Sequence, residues 1–298
     1  MAYKTIDLSK LREIIASGPA GQEKIEKLTE QAAMLAETLS LMIKRARPYK
    51  IPIETKDNVI RFGLIGDTHI GSAYQRADAL KEFYARCAAE EVRVILHVGD
   101  VIDGWRVYNG HEFELHPSAR SWPEQRDMFA SLAPRVDGIK TVFITGNHDA
   151  SFKKLIGMIV GEELQTVRPD WKFIGQDVGD VVLSSLSGNK IKVRLIHPGN
   201  KTAYAISYHI QKIIETIPGG QKPNIIAVGH YHKALWLPDY RNVSAFGVGC
   251  LQSQTPFMAR NGMAAHVGGW IVSVISGSRR NLTSRIKADF VSFYEKIE

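Results

Sequence analysis

Asp67 and His69 stand two residues apart in a glycine-flanked turn, Gly66-Asp67-Thr68-His69-Ile70-Gly71. A carboxylate and an imidazole at that spacing can ligate one metal ion if the chain between them turns sharply. One such pair arises easily by chance, but here the pattern repeats. Gly99-Asp100-Val101-Ile102-Asp103-Gly104, Gly146-Asn147-His148-Asp149, His197-Pro198-Gly199 and Gly229-His230-Tyr231-His232 are further polar turns carrying carboxylate, amide or imidazole donors. A mixed nitrogen and oxygen donor set suits Mn, Fe, Zn, Co or Ni and does not choose among them.

Each turn follows an apolar run of strand length: 60–65, 92–98, 139–144, 193–196 and 224–228. Runs this short and rich in Val and Ile read as buried strands of an α/β sheet. Ligands bind such sheets at the carboxyl ends of the strands, where all five turns fall. Between the runs, Leu80, Phe83, Tyr84 and Cys87, and later Met128, Phe129 and Leu132, recur at helical spacing. Residues 206–217 put five isoleucines on one helix face, and 243–246, 269–275 and 282–294 read as closing strands.

The order GDTHIG, GDVIDG, GNHD, His197, GHYH resembles that of the calcineurin-like metallophosphoesterases, over roughly residues 60–275. The resemblance implies an α/β fold, a β-sandwich flanked by helices, and a metal-dependent phosphodiesterase. Mapped motif by motif, it implies that Asp67, His69 and His232 bind a first divalent ion, that Asn147, His197 and His230 bind a second, and that Asp100 bridges them. Manganese is the first choice by the same resemblance. Two such ions about 3.5–4 Å apart activate water and neutralise the phosphoryl oxygens. His148 is then the general acid or transition-state stabiliser at the leaving oxygen. Asp103 would hold the His148 ring and favour its protonated form.

The 298 residues suffice for one large domain and a small appendage, and the net charge of +7 suits a polyanionic partner without requiring one. The expected division is a segment 1–58 and a catalytic domain 59–298. In the first, Ile25, Leu28, Ala32, Leu35, Leu39 and Met42 mark helix, followed by the basic residues Lys44, Arg45, Arg47 and Lys50. Residues 49–54 and 58–62 look like a β-hairpin. Helices followed by a hairpin match a winged helix-turn-helix, which binds DNA. A helical arm for homodimerisation, or for packing on the catalytic domain, is the alternative, and oligomeric state stays open. No apolar run of membrane-spanning length and no signal-peptide core occurs. A cytoplasmic protein with reduced Cys87 and Cys250 is expected.

Residues 105–122 form a long loop rich in aromatic and basic side chains, placed to reach a substrate. Trp105, Arg106, Tyr108 and His111 are its candidate substrate contacts, with aromatics to stack on bases and arginines to meet phosphates. Lys201, at a helix start after His197, is a further candidate for an anion. The run Gly104-Trp105-Arg106-Val107-Tyr108-Asn109-Gly110 also resembles the exonuclease small subunit of archaeal family-D DNA polymerases. The favoured function is a DNA nuclease of the dinuclear-metal type. The alternative is a small-molecule phosphoesterase acting on a nucleotide or pyrophosphate.

Overall fold

The computed structural model describes residues 48–53, 59–199, 205–276 and 283–294. They belong to one compact unit that begins at Pro48. The expected helices before residue 48, the cluster Lys44, Arg45 and Arg47, and Lys201 lie outside the described residues.

Twelve strands are described, in two sheets of six. In chain order the elements are β1 (Tyr49–Ile53), β2 (Val59–Ile65), α1 (Ala77–Ala89), β3 (Val94–Val98), α2 (Trp122–Leu132), β4 (Lys140–Thr145), α3 (Ala150–Ile156), α4 (Val160–Val167), β5 (Trp171–Gln176), β6 (Val178–Ser185) and β7 (Lys190–Ile196). There follow α5 (Tyr208–Thr216), β8 (Ile225–Val228), β9 (Ala234–Tyr240), β10 (Val243–Val248), α6 (Pro256–Arg260), β11 (Gly268–Ser276) and β12 (Thr283–Ser292). One sheet runs β12-β11-β2-β3-β4-β5 and the other β1-β6-β7-β8-β10-β9.

The period of two along each strand decides the layers. Ile60, Phe62, Leu64, Val94, Leu96, Val98, Val142 and Ile144 face Val181, Leu183, Val193, Leu195, Ile225 and Phe246 of the other sheet in one buried core. The alternate residues Ile95, Phe143, Trp171 and Ile271 point outward, against Leu80, Phe83 and Cys87 of α1, Phe129 of α2 and Leu164 of α4. On the other flank Ile226, Val228, Val243 and Ala245 meet Ile210 and Ile214 of α5. The result is a β-sandwich with helices on both outer faces. Central strands are therefore apolar at nearly every position, and β3 is buried throughout, because neither face meets water.

One expectation fails. Residues 49–53 and 59–62 do not form a hairpin: β1 pairs in parallel with β6 in one sheet, while β2 sits between β11 and β3 in the other. The pattern of residues 49–53 specifies a strand, but not its partner, which lies far along the chain. The body thus begins ahead of the boundary expected at 58/59, and the wing of the winged-helix reading is spent on the sandwich.

Strands β2, β3 and β4 run parallel, as do β7 and β8. Their carboxyl ends bring turns from both sheets to one edge of the sandwich.

Candidate metal centre

Asp67 follows β2, Asp100 follows β3 and Asn147 follows β4, while His197 follows β7 and His230 follows β8. The first two turns are zipped together by main-chain bonds: Asp67 N donates to Gly99 O (2.9 Å), His69 N to Asp100 O (3.1 Å) and Ile70 N to Val101 O (3.0 Å). Asp67, His69, Asp100, His230 and His232 all have positive φ, between 45° and 73°. Such backbone costs about 1–3 kcal/mol per residue and persists only where surrounding bonds over-determine it. Here those bonds hold the strained turns so that the side chains converge. Close approach also demands glycine. A Cβ on Gly99, whose φ is +87°, would lie 2.6 Å from His197 Nδ1, and one on Gly146 would collide with Asp100 Oδ1.

Three donor groups result among the described residues, and one of them, His69, Asp103 and His148, shares His69 with the set of Asp67 and His232. Asp67, His69 and His232 bring their ligand atoms within 4.8 Å of one another, and so do Asp100, His197 and His230. Asn147 joins the second set, its Oδ1 3.1 Å from His197 Nε2. Asp100 Oδ2 lies 3.1 Å from His197 Nε2 and 3.9 Å from His69 Nε2, so it stands between the sets. All seven expected ligands are thus gathered at one edge.

The imidazole tautomers fit cations. His69 Nδ1 donates to Asp103 Oδ1 (3.0 Å) and His197 Nδ1 to Val98 O (2.8 Å). In the neutral rings both Nε2 lone pairs are left facing the centre, the arrangement in which an outer partner fixes a metal-binding histidine. His69 Nε2 and His232 Nε2 face each other at 3.2 Å, and His232 Nε2 is 3.3 Å from Asp67 Oδ1. Without a cation, two nitrogen lone pairs at that distance need a proton between them. With one, they are ligands.

The buried charges set the protonation of the cation-free site. Burial disfavours charge on His197, yet the Asp100 carboxylate outweighs it and raises the ring to about 10. His148 is opposed by burial in the same way, but Asp100 and Asp103 lift it to about 9. His230 is pushed down to about 4 by burial and by the neighbouring His197. Burial resists ionisation of Asp100, and His197 and His148 overcome it, holding the carboxyl well below its ordinary range.

Asp103 takes a different form from the expected dyad. His148 Nδ1 donates to its main-chain carbonyl (2.6 Å), while the carboxylate is 3.6 Å away. The carboxylate instead receives His69 on one oxygen, and the other lies 3.2 Å from His111 Nε2. His111 Nδ1 accepts from Val107 N (3.3 Å), which fixes the ring with its Nε2 beside Asp103, close but not in hydrogen-bonding geometry. His111 is fully buried, which excludes the substrate contact expected of it; it backs Asp103.

The other candidates also sort by position. Tyr108 lines the pocket beside the centre. Trp105 packs half-buried on the core below, and Arg106 is exposed over the Trp105 ring; neither lines the pocket. Gln125, buried at the start of α2, pins the loop by accepting from Gly104 N and donating to the carbonyls of Gly104 and Ala119. His97 is a core residue, held beside Thr68 Oγ1 at 3.0 Å, and burial lowers its ring to about 3.

Several contributors carry little or no signal in the sequence. Asp149 is buried and accepts main-chain N–H from Val101, Ile102 and Gly146 (2.8–3.2 Å), bolting the second and third turns together. Its place in GNHD is the one signal it has. The segment 252–263, which supplies the far wall of the pocket, has none.

The calcineurin-like phosphoesterase family profile matches residues 60–269. The chain belongs to this family. It is similar to the DNA polymerase II small subunit of Halobacterium salinarum, 28% identical over 235 residues, covering 68% of this chain and 46% of that protein. The DNA polymerase II small subunit of Methanothermobacter thermautotrophicus is 26% identical over 250 residues, covering 69% and 50%. The chain spans about half the length of these curated relatives. Among solved structures, Vacuolar Protein Sorting 29 from Cryptosporidium parvum aligns over 80% of this chain and all of its own at 13% identity and a TM-score of 0.41. GAP50 of Plasmodium aligns over 80% and 90% at 10% identity and a TM-score of 0.42. Among the described residues no helix is long and apolar enough to cross a membrane.

Proposed function

We propose that this calcineurin-like phosphoesterase is a dinuclear-metal phosphodiesterase that cleaves DNA. The observation that carries the reading is the pair of donor sets with Asp100 between them. When bound, two divalent ions, manganese first among them, supply charge neutralisation at the phosphoryl oxygens and an acidified water. The chain's own residues do the rest. Asp67, His69 and His232 would hold one ion, Asn147, His197 and His230 the other, and Asp100 would serve both. The amide of Asn147 adds an oxygen without charge, which keeps the centre cationic towards phosphate.

His148 is the general acid. Its main-chain N–H donates to Asp100 Oδ1 (2.8 Å), which fixes the residue beside the centre, and its Nδ1 proton is committed to Asp103 O. The ring's Nε2 proton is then the one available to the leaving oxygen. The small residual exposure of the side chain, 12%, is what that contact needs.

DNA as substrate is supported by the polymerase subunits among the relatives and by the net charge of +7. One observation favours the smaller substrate: the pocket beside the centre, about 530 Å³, has the volume of a nucleotide site. The deciding test is purified protein with Mn²⁺ on labelled single- and double-stranded DNA, beside bis-p-nitrophenyl phosphate and free nucleotides. Metal-dependent DNA cleavage at a higher kcat/KM than nucleotide turnover is expected. Turnover of nucleotides or pyrophosphates with DNA left intact would overturn the DNA assignment, and no metal-dependent hydrolysis of any of them would overturn the enzyme.

A further inference from the structure

Beyond the ligand-bearing turns the pocket continues into a compartment of different character. Tyr108, Phe257, Met258 and Met263 form its walls, and the amide of Asn261 reaches its lining. Apart from Asp100 and the histidines of the centre, that lining carries no charged side chain among the described residues. Tyr108 and Phe257 stack on each other, with ring centroids 4.1 Å apart and planes 23° from parallel.

This aromatic wall is braced. Glu114, only 6% exposed, accepts from Tyr108 Oη with one oxygen and from Phe257 N with the other, both at 2.7 Å. It thereby ties the 105–122 loop to α6. Thr255 caps α6, its Oγ1 accepting from Met258 N (3.2 Å). The Arg260 guanidinium sits over the Phe257 ring at 5.3 Å and donates to Asn109 O (3.5 Å), closing the seam from outside. A buried carboxylate satisfying donors on two separate segments is costly to assemble unless the geometry it fixes is used.

The geometry points to a nucleobase subsite: resting on the phosphodiesterase reading above, the compartment of Tyr108, Phe257, Met258 and Met263 takes the base of the nucleotide whose phosphate lies at the metal centre. A sugar would call for charged partners and for polar groups along every wall; here the polar groups, Gln252, Thr255 and Asn261, stand beside aromatic and thioether faces. An aliphatic chain would not exploit a braced, planar wall. A neutral heteroaromatic ring matches aromatic and thioether surfaces: Tyr108, Met258 and Met263 offer theirs, Phe257 lies between the Tyr108 ring and the Arg260 guanidinium and backs Tyr108, and the Asn261 amide can meet a ring edge. The base of a DNA strand and that of a free nucleotide share this chemistry.

The test uses the metal-loaded protein and two pairs of probes. The first pair is a labelled oligonucleotide with an ordinary nucleotide at the cleaved position and the same strand with an abasic deoxyribose there. Base stacking on aromatic walls predicts a KM roughly 10- to 100-fold lower for the base-bearing strand. Phe257→Ala should bring that ratio towards one, and Phe257→Trp should retain it. Phe257→Leu, which keeps the bulk without the ring, serves where the alanine variant does not fold. The second pair is a nucleoside 5′-monophosphate and ribose 5-phosphate, titrated directly. Tighter binding of the nucleoside form, lost in Phe257→Leu, supports the subsite even if no DNA is cleaved and makes a free nucleotide the source. Equal KM for the two strands together with equal affinity for the two phosphates would overturn the subsite while leaving the metal-centre chemistry standing.

Discussion

The two walls of the pocket are built in opposite ways. The metal-facing wall comes from five strand ends in two sheets, and its turns are bonded to one another and to neighbouring strands by main chain. The aromatic wall comes from one loop and one five-residue helix, joined at its buried side by one carboxylate, Glu114, and from outside by Arg260. The first is a property of the whole sandwich, because its residues cannot move without breaking strand ends. The second can be loosened by one substitution. Chemistry needs the rigid wall, while selectivity can be carried by the adjustable one.

The largest expected break is Asp100→Ala. It removes the one carboxylate shared by both donor sets and strips the buried His197 and His148 of their counter-charge. Hydrolysis of a chromogenic diester should fall to background, measured beside Asp100→Asn, which keeps the volume.

Next comes His148→Ala. It should lower kcat by roughly 10²–10⁴-fold with bound metal unchanged, since the ring acts on the leaving oxygen and not on an ion. Loss of metal in this variant would instead make the residue a ligand. Asp103→Asn should give a smaller loss, because His148 rests on its main-chain carbonyl, which survives the change, while the oxygen receiving His69 is altered.

Asp149→Ala probes how the rigid wall is held. It leaves three buried main-chain donors without an acceptor. Each such loss costs about 1–3 kcal/mol, so thermal or denaturant unfolding should show a drop of about 3 kcal/mol or more. A drop under about 1 kcal/mol would mean the turns are held without it.

The smallest effect is expected at the adjustable wall. Glu114→Gln puts an amide where two donors converge. It should raise KM for a base-bearing substrate by about tenfold and leave bound metal intact. An equal change in KM for an abasic strand would show that Glu114 acts on the fold and not through the aromatic wall.

The same contrast explains what was legible in the sequence. The polar turns directly follow strands, so residue type and spacing placed their donors at strand ends; the family resemblance singled out Asp67, His69, Asp100, Asn147, His197, His230 and His232 as expected ligands, and the fold gathers them at one edge. The strands were equally plain, because a run apolar along its length has to be buried on both faces. Phe257 and Glu114 lie far apart in sequence and meet only through tertiary contact, and neither has a motif. His111 looked like a loop aromatic because exposure is not written in composition. Residues 49–53 read correctly as a strand and incorrectly as half of a hairpin, since period two fixes a face and not a partner.

The central claim is a two-ion centre shared through Asp100, and metal content tests it most directly. Dialysed wild-type protein loaded with Mn²⁺ should hold two ions per chain by elemental analysis. Loading must displace the proton that Asp100 holds on His197 up to about pH 10, so affinity should rise with pH and binding should release protons. Asp100→Ala should hold neither ion. One ion per wild-type chain, or two in the variant, would contradict the account.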